Sequence, residues 1–482
     1  MSFRIIVITT LLNLFTLQAQ YSTPNANVHW TLDSIALHSP STISVSGTTY
    51  TLHENLLVEE TDSLLLDKSL RLEIDENVEI EVKGYFFSSA DNITITATNT
   101  AIPYKGFWFY DTAEVYFNNT LIEYGGGIRV ITPNFLMEHC EITNHVTGSA
   151  SGGAITFSNG SPIIRNSIFL NNQNPAISSA ANSSVSALIE ENHFEGNNQT
   201  NNNRPQINMG PSGDSDSLRI FNNTIIGDRD LVMVGGVASS NFMGITNKIA
   251  IRGNTIRDNR YGITALGATI GIIENNIIDD NNTEVDPMNG GSGISLYNTD
   301  LISITNNKIR RNLWGITLIG TAKANLGSDD TEDLNPGLNV FGDNENNGKI
   351  YALYNNTTNL VKALHNCWIE GVESTATDVE EVIFHQVDDT SLGEVLFDPF
   401  NCGVPMEVSD LKQDTFKIYP NPANQFFYIE SKKLGEMKIY NLNGKQVHSQ
   451  KLLFNKNKII INLPKGLYLV EFEEEFKKLV IQ

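Results

Sequence analysis

Charged side chains recur at one position of a repeated sequence pattern, where they suggest binding chemistry. Aligned copies of the pattern place Arg257, Asp279 and Arg310 in one row, and Arg311 follows in the next row. If neighbouring copies form strands ~4.8 Å apart, these charges form a ladder on an outer surface. Guanidinium groups bind carboxylates through paired hydrogen bonds, so the row could bind an acidic polysaccharide. The alternative is a solvated ladder, in which each exposed ion pair contributes ~0.2–1 kcal/mol.

Two aromatic residues follow the same copies of the pattern. Tyr261 and Trp314 would lie in one row, two copies apart, and could stack against sugar rings. However, they lie two residues before Ile263 and Ile316, so they should point to the same side of the strand as these isoleucines. This favours an aromatic stack inside the core.

Aspartate pairs offer a second kind of chemistry, because glycoside hydrolases use clustered carboxylates as acid and base. Polygalacturonases carry Asn-Thr-Asp, Asp-Asp, Gly-His-Gly and Arg-x-Lys motifs. This sequence has Asn298-Thr299-Asp300 and Asp329-Asp330, but neither Gly-His-Gly nor Arg-Ile-Lys follows them. We therefore interpret the first motif as part of a turn, and no catalytic residue is assigned.

Metal-binding patterns are weak. The nine histidines form neither His-x-His nor His-x-x-x-His pairs. The segment from Asn289 to Gly293 begins like a calcium-binding nonapeptide, but Ser295 stands where the aspartate should be. We expect no metal site and no cofactor, although a polysaccharide lyase would use calcium.

The elements that would position these residues are sequence repeats. One pattern recurs in the middle of the chain: an isoleucine-rich stretch, an asparagine, an apolar residue two positions later and, in most copies, a second asparagine three positions after that. The first asparagine of each copy lies at residue 166, 192, 223, 254, 276 or 307. Successive copies are 22 to 31 residues apart, and a period of this length indicates a repeat architecture. Leucine-rich repeats have a similar period, but they require a leucine-dominated consensus. Here isoleucines alternate with polar residues, which predicts short β-strands. Twenty-seven asparagines lie between residues 160 and 312, and we interpret them as residues that tolerate left-handed turns.

The middle of the chain, from about residue 50 to about 400, resembles the right-handed parallel β-helix repeat family, also called pectate-lyase-like. The resemblance implies an all-β solenoid with stacked isoleucine and valine side chains inside. We expect an N-terminal cap at 20–50, a β-helix with its closing cap at 51–402, and a linker at 403–415. Long loops are expected around 197–217 and 281–293, and in such solenoids loops often form the binding face.

The charge changes sign near the end of the chain. From Leu411 to Gln482 there are 12 lysines and 7 acidic residues, whereas residues 20–410 carry a net charge of −29. Short alternating strands with Pro-Asn-Pro, Asn-Gly and Pro-Lys-Gly turns predict a small β-sandwich at 416–482. This segment resembles the type A sorting domain of the type IX secretion system. The resemblance rests on Tyr419, Pro420, Asn421, Pro422, Asn443, Gly444, Lys465, Gly466, Lys477 and Lys478.

That resemblance implies a partner, the type IX translocon, and removal of the domain during export, followed by release or glycolipid attachment. It also implies a Bacteroidetes-type source. At the other end, Arg4 precedes an apolar run from Ile5 to Leu17, and Leu17-Gln18-Ala19 fits a signal-peptidase site. We interpret residues 1–19 as a cleaved signal peptide, and no later stretch approaches transmembrane length. The expected location is outside the cell or on its surface, reached through the periplasm.

Composition excludes several functions. Acidic residues outnumber basic residues 55 to 32, which argues against nucleic-acid binding and against docking on anionic membranes. Three cysteines exclude a disulfide scaffold. Export permits a disulfide between Cys367 and Cys402, and both the bridged and the free states stay open. Such a bridge would leave Cys140 as a buried thiol.

Two hypotheses for function remain. The first is a secreted or surface-exposed protein that binds glycans or serves adhesion. The second is a polysaccharide lyase or glycoside hydrolase of an unrecognised subfamily. The missing catalytic motifs favour the first, because function must be argued from a site rather than from a fold.

Overall fold

The chain winds into a long coil of short strands. The structure is a computed structural model that describes residues 20–213, 215–402, 416–431, 433, 435–441, 445–452, 455–472 and 475–481. Three parallel sheets, here named sheets A, B and C, run along its length with 14, 14 and 13 strands. Through the middle of the chain each coil passes from sheet A to sheet B to sheet C, so adjacent strands of a sheet belong to successive coils. The exceptions are the antiparallel hairpin of Ile43–Ser46 with Thr49–Leu52, which begins sheet C, and the last strands, which extend sheets A and B alone. The expected signal peptide and linker lie outside the described residues.

The strands of sheet A are Gln20–Ser22, Asn55–Val58, Glu79–Val82, Gly106–Phe109, Ile128–Val130, Ile155–Phe157, Ile177–Ser179, Ile207–Met209, Val237–Ser240, Ile263–Leu266, Ser292–Tyr297, Trp314–Ile319, Leu353–Asn356 and Ile383–Phe384. Those of sheet B are His29–Thr31, Ser63–Leu66, Tyr85–Ser88, Glu114–Asn118, Asn134–Glu138, Ile163–Arg165, Leu188–Glu190, Leu218–Phe221, Asn247–Arg252, Thr269–Glu274, Leu301–Thr305, Ala324–Gly327, Val361–Ala363 and Val395–Leu396. Those of sheet C are Ile43–Ser46, Thr49–Leu52, Leu70–Ile74, Ile93–Ala97, Thr120–Glu123, Glu141–Thr143, Ile168–Leu170, His193–Glu195, Thr224–Ile226, Thr255–Arg257, Ile277–Asp279, Lys308–Arg310 and Val340–Gly342.

The inward side chains of each sheet stack along the axis and form one continuous core. In sheet C, Ile256 lies opposite Ile278, which lies opposite Ile309, and all three are fully buried. This is the register that the sequence repeats predict, so that prediction is confirmed. Because side chains alternate along a strand, the same register fixes which residues form rows on the outer surface.

Asparagine ladders close the corners on both sides of sheet C. Before the strands, the backbone N–H of Asn223 donates to the Oδ1 of Asn254, and that of Asn254 donates to the Oδ1 of Asn276, both at 2.9 Å. After the strands, Asn259, Asn281, Asn312 and Asn344 repeat the arrangement. Each amide nitrogen also donates to a carbonyl of an adjacent coil, as Asn276 does to Ile251 at 3.0 Å. Buried backbone groups outside the strands are thereby paired, which avoids a desolvation cost of ~1–3 kcal/mol each.

The interpretation of the asparagines as left-handed turn residues holds for some of them but is wrong for the ladder residues such as Asn254 and Asn276. Positive φ angles occur instead at neighbouring positions such as Asn222, Asn275 and Asn306. The repeat alignment was also wrong by one residue in the first copy. There Asn166 has a φ of 51°, while the backbone N–H of Ser167 donates to Asn192 in the ladder.

The expected N-terminal cap already contains strands of the coil. Gln20–Ser22 pairs with Asn55–Val58, and His29–Thr31 pairs with Ser63–Leu66. The helix Leu32–His38 then covers the open end with Leu32 and Ile35. Strands of the coil thus begin within residues 20–50, since a solenoid end is closed by pairing as well as by covering.

The closing segment likewise continues the sheets to Val395–Leu396 before the chain leaves the coil. It contains the helix Ala376–Glu381 and a small hairpin, Glu345–Asn346 with Lys349–Ile350. Cys367 and Cys402 are joined by a disulfide in this segment. Cys140 is a free, buried cysteine, and burial raises the pKa of its thiol to about 12.

The C-terminal domain is a separate all-β unit with its own core. Its three-stranded antiparallel sheet contains Lys417–Tyr419, Phe426–Glu430 and Lys456–Ile460. Its four-stranded antiparallel sheet contains Gln446–Leu452, Gly435–Asn441, Gly466–Phe472 and Glu475–Ile481. Phe427, Ile429 and Val470 are among the fully buried side chains of its core. The prediction of a small sandwich after an all-β solenoid is confirmed, although Asn443 and Gly444 lie outside the described residues.

Two adjacent asparagines, one inside the ladder and one outside it, test whether the ladder stabilises the fold. Asn276 is 1% exposed and accepts from both the backbone and the side chain of Asn254, whereas Asn275 is exposed with a φ of 58°. Asn276→Ala leaves buried donors unpaired and should lower the free energy of unfolding by at least ~2 kcal/mol. Asn275→Gly keeps a residue suited to positive φ and should change stability by less than ~1 kcal/mol. Chemical denaturation of both variants checks this, and equal losses would contradict the assigned roles.

Candidate functional site

The charge ladder has the geometry that the sequence predicts. Arg257 lies opposite Asp279, and Asp279 lies opposite Arg310, on the outer face of sheet C. Arg257 pairs with the neighbouring Asp258 at 2.8 Å. Arg257, Asp279 and Arg310 are therefore neighbours on one surface. Whether this row can bind a ligand depends on what else its arginines contact.

The arginines of the ladder are occupied by carboxylates of the same chain. Arg310 donates two hydrogen bonds to Glu370, and Arg311 donates to Asp280 at 2.8 Å and to Asp279 at 3.3 Å. Burial raises the pKa of the Asp279 carboxyl, and Arg311 opposes that rise. A polyuronate would have to displace these carboxylates, so the geometry favours the structural alternative.

The aspartate motifs do not converge on a catalytic arrangement. Asn298 has a φ of 55° and accepts from the backbone of Thr321 at 2.9 Å, which is turn chemistry. Asp329 pairs with His365 at 2.8 Å, and Asp330 lies 3.4 Å from Lys362. Among the residues that the structure describes, no group of three or more His, Cys, Asp or Glu side chains could hold a metal ion.

A row of outer side chains crosses the last eleven of the fourteen strands of sheet A, and in the first three strands the same positions hold Ser22, Leu57 and Glu81. It consists of Trp108, Arg129, Thr156, Ser178, Asn208, Ala238, Thr264, Ser295, Thr317, Tyr354 and Phe384. The ends are aromatic, and most side chains between them are small and polar. Ten steps of ~4.8 Å make the row about 48 Å long, which suits an extended polymer.

The C-terminal end of this row is a cluster of four half-buried aromatic rings, here named the aromatic cluster: Trp314, Tyr351, Tyr354 and Phe384. The ring of Tyr354 lies 4.6 Å from Phe384 in a stacked arrangement and 4.9 Å from Trp314 at a steep angle. Tyr351 lies 4.7 Å from Trp314. Partly exposed aromatic rings present apolar surface beside polar groups, a combination that is common in ligand-binding sites.

Charged groups surround the aromatic cluster. The ammonium of Lys349 lies 5.1 Å from the ring centre of Tyr351 and 6.0 Å from that of Phe384. Lys349 also lines a cavity of about 730 Å³ with Glu380, Glu381 and Asp388. Burial raises the pKa of Tyr354, and the negative charges of Asp389 and Asp388 add to that rise. The cluster thus combines stacking surface with hydrogen-bonding groups of both signs.

Trp314 was expected either in a core stack or on a platform shared with Tyr261. The two residues lie two coils apart, as expected, with Ser292 opposite Trp314 in the coil between them. Trp314 is half-buried and contacts Tyr351 and Tyr354 instead of a core stack. Tyr261 covers Gly235 of the preceding coil, where a Cβ would lie 2.1 Å from its ring. Sequence reasoning missed Tyr351, Tyr354 and Phe384, since they lie in coils without the asparagine consensus.

The long loops before sheet A are tied together beside the cluster. Arg260 is 8% exposed and donates to Asn203 at 2.5 Å and to the carbonyl of Asn289. The indole of Trp314 donates to the carbonyl of Pro287 at 2.9 Å. These bonds fix loops from several coils along one edge of sheet A and hold Trp314 in place.

Comparisons with known proteins agree with this architecture. Residues 212–358 match the family described as "Right handed beta helix region". Residues 417–482 match the family described as "Secretion system C-terminal sorting domain". The chain is a right-handed parallel β-helix repeat protein, and its C-terminal domain is a sorting domain of the type IX secretion system. Among its described residues, none of the helices has the length and apolar character needed to cross a membrane.

Two solved structures are similar to parts of this chain. The periplasmic alginate epimerase AlgG is 12% identical, with coverage of 77% of this chain and 83% of that chain and a TM-score of 0.46. The tailspike protein of E. coli bacteriophage HK620, in complex with a pentasaccharide, is 10% identical, with coverage of 85% and 81% and a TM-score of 0.30. Neither likeness indicates an activity for this chain. A search of curated protein sequences finds no match.

The sorting domain generates a prediction about export. Removing Leu411 to Gln482 takes away the address that the translocon reads, so the chain should accumulate in the periplasm of its native host. Cell fractionation measures the location, and protease resistance of the retained β-helix serves as the control for folding. Normal appearance of the shortened chain outside the cell would contradict the prediction.

Proposed function

We propose that this exported β-helix protein binds glycan chains along sheet A, with the aromatic cluster as its main contact. The carrying observation is the contiguity of four half-buried rings at one end of a row of small side chains: Trp314, Tyr351 and Tyr354 contact one another, and Phe384 stacks on Tyr354. Burying one face of such rings against the C–H face of a sugar removes apolar surface from water. Thr264 and Ser295, which are partly exposed, can then hydrogen-bond the hydroxyl groups of an extended chain.

The chemistry of the surface favours neutral glycans over polyuronates. Residues 20–410 carry a net charge of −29, which repels polyanions at low salt. The arginines of the charge ladder contact Glu370, Asp279 and Asp280 rather than solvent alone. Lys349 is the cation beside the aromatic cluster, and the acidic residues Asp388 and Asp389 lie near Tyr354.

The contacts of the carboxylates beside the aromatic cluster support a protein that binds glycans without cleaving them. Glu380, which lines the cavity beside the cluster, contacts His385 at 2.6 Å. Asp389 accepts from the backbone and hydroxyl of Ser391 at 2.9 and 2.8 Å. General acid–base catalysis requires carboxyl groups placed on both sides of a glycosidic bond. The lyase or hydrolase alternative would be supported if the purified chain released shorter oligosaccharides from a glycan during incubation.

Single substitutions in the aromatic cluster test this function. Tyr354→Ala should weaken binding to the best neutral glycan about tenfold, because loss of one stacked ring costs about 1.4 kcal/mol. Tyr85→Ala removes a partly exposed ring from the outer face of sheet B and is the matched control. Arg311→Ala tests the charge ladder and should have little effect. Binding is measured by affinity electrophoresis across neutral glycans and polyuronates, with thermal melts to confirm folding.

Salt separates the two ligand classes. Neutral glycan binding should change little with ionic strength, whereas polyuronate binding should weaken as charges are screened. The absence of binding to any glycan would refute the proposed function, and so would binding that Tyr354→Ala does not affect. Binding to polyuronates that is lost in Arg311→Ala would move the site to the charge ladder.

A further inference from the structure

Two apolar side chains on the outer face of sheet C are buried. In the strand Ile168–Leu170, Phe169 points into the core, so Ile168 and Leu170 point outward. They are nevertheless only 2% and 5% exposed. Ile277 occupies the same outer row as Ile168, three coils past His193, and is 38% exposed. Something covers the row at Ile168 that does not reach Ile277.

The cover is the C-terminal sorting domain. Ile168 and Leu170 form one apolar cluster with Tyr419 and Tyr428, and Phe426 packs against it. Tyr428 lies between Phe427 and Ile429, whose side chains belong to the core of the sorting domain, so Tyr428 points away from that core. It is still only 7% exposed, because its ring lies against the β-helix.

Polar contacts fix the orientation of the two domains. The hydroxyl of Tyr428 donates to Glu141 at 2.6 Å, and the ammonium of Lys458 lies 3.5 Å from the same carboxylate. Gln425 donates to Asp91 at 2.9 Å. These contacts join residues that are about 300 positions apart in sequence, so they are independent of the solenoid's own register.

Ring stacking and charge add to the contact. His193 lies flat against Tyr419, with ring centres 4.2 Å apart and an interplanar angle of 12°. The segment from Leu411 to Gln482 has a net charge of +5, opposite to the β-helix. Opposite net charges favour approach of the two surfaces.

The contact covers part of the sorting signal. Tyr419, Pro420, Asn421 and Pro422 all line a cavity of about 750 Å³ between the two domains, together with Ile168 and His193. Tyr419 itself is 8% exposed. A protein that reads this segment in the docked chain would find its first side chain inaccessible.

We propose that the outer face of sheet C around Ile168, Leu170 and His193 is a docking surface for the chain's own sorting domain, and that docking hides Tyr419 until the translocon displaces the domain. The surface is distinct from the aromatic cluster on sheet A, so the inference does not depend on glycan binding. Removal of the sorting domain would then expose the apolar pair on the exported β-helix.

Chemical cross-linking of the purified full chain tests the docking. Cysteines introduced as Asp91→Cys and Gln425→Cys should be joined rapidly by a short bismaleimide reagent. The control pair is Asp91→Cys with Ser449→Cys, because Ser449 lies on the four-stranded sheet of the sorting domain. The native Cys140 is buried and should not react. Equal rates for the two pairs would overturn the proposal.

Matched outer-face substitutions test the surface itself. Adding Ile168→Lys should slow cross-linking of the first pair at least fivefold, whereas Ile277→Lys should leave the rate unchanged. If Ile168→Lys fails to fold, Glu141→Lys should slow the reaction and Glu141→Lys with Lys458→Glu should restore it. A rate that is insensitive to both Ile168→Lys and Glu141→Lys would contradict the assigned surface.

The hiding of Tyr419 has its own readout in the native host. Pulse–chase labelling should show the Ile168→Lys variant leaving the periplasm at least twice as fast as the Ile277→Lys control. In the Ile168→Lys variant the translocon no longer has to displace the sorting domain before it recognises Tyr419. Equal or slower export of Ile168→Lys would overturn this part of the proposal.

Discussion

The fold depends on pairing the backbone N–H groups that are buried where each coil turns beside sheet C. Strand hydrogen bonds end at these corners, and the ladder asparagines there are at most 3% exposed, so their backbone groups need partners within the protein. The carboxamide of asparagine solves the problem, because its oxygen accepts from the coil before and its nitrogen donates to a carbonyl of a neighbouring coil. Asn254, Asn276 and Asn307 repeat this pairing at 2.9 to 3.1 Å. A one-residue slip of any coil would break the ladder, so the ladder also fixes the register.

Fixed register turns a repetitive sequence into functional surfaces. Inward positions carry isoleucine rows, while outward positions carry different chemistries on sheets A and C. Sheet A presents small polar side chains that end in the aromatic cluster. Sheet C presents an ion-pair network at Arg257, Asp279 and Arg310 and, several coils away, the apolar pair that the sorting domain covers. A site in this protein is therefore a row rather than a set of residues close together in sequence.

The sequence predicts the parts of the structure that repeat. The solenoid, the opposition of Ile256, Ile278 and Ile309, and the sorting domain all follow from local patterns. The role of the asparagines did not, since hydrogen bonding to the next coil and tolerance of positive φ favour the same residue type. Adjacent Asn275 and Asn276 carry one role each, which a single sequence cannot distinguish.

Contacts between distant segments could not be predicted. Glu370 neutralises Arg310 from 60 residues away, and nothing in either local pattern indicates the pair. Tyr351, Tyr354 and Phe384 reach Trp314 through coils of irregular length. The docking of Tyr428 on Glu141 spans 287 residues. Such contacts depend on the accumulated length of every intervening coil, which periodicity alone does not determine.

Amide-resolved hydrogen exchange of the intact chain tests the asparagine ladder most directly. The backbone N–H groups of Asn223, Asn254, Asn276 and Asn307 lie outside strands, yet each donates to the side chain of the next asparagine. They should exchange as slowly as the strand residues Ile225, Ile256, Ile278 and Ile309. Exchange at these four corners that is as fast as in exposed loops would contradict the claim that the ladder holds the coils in register.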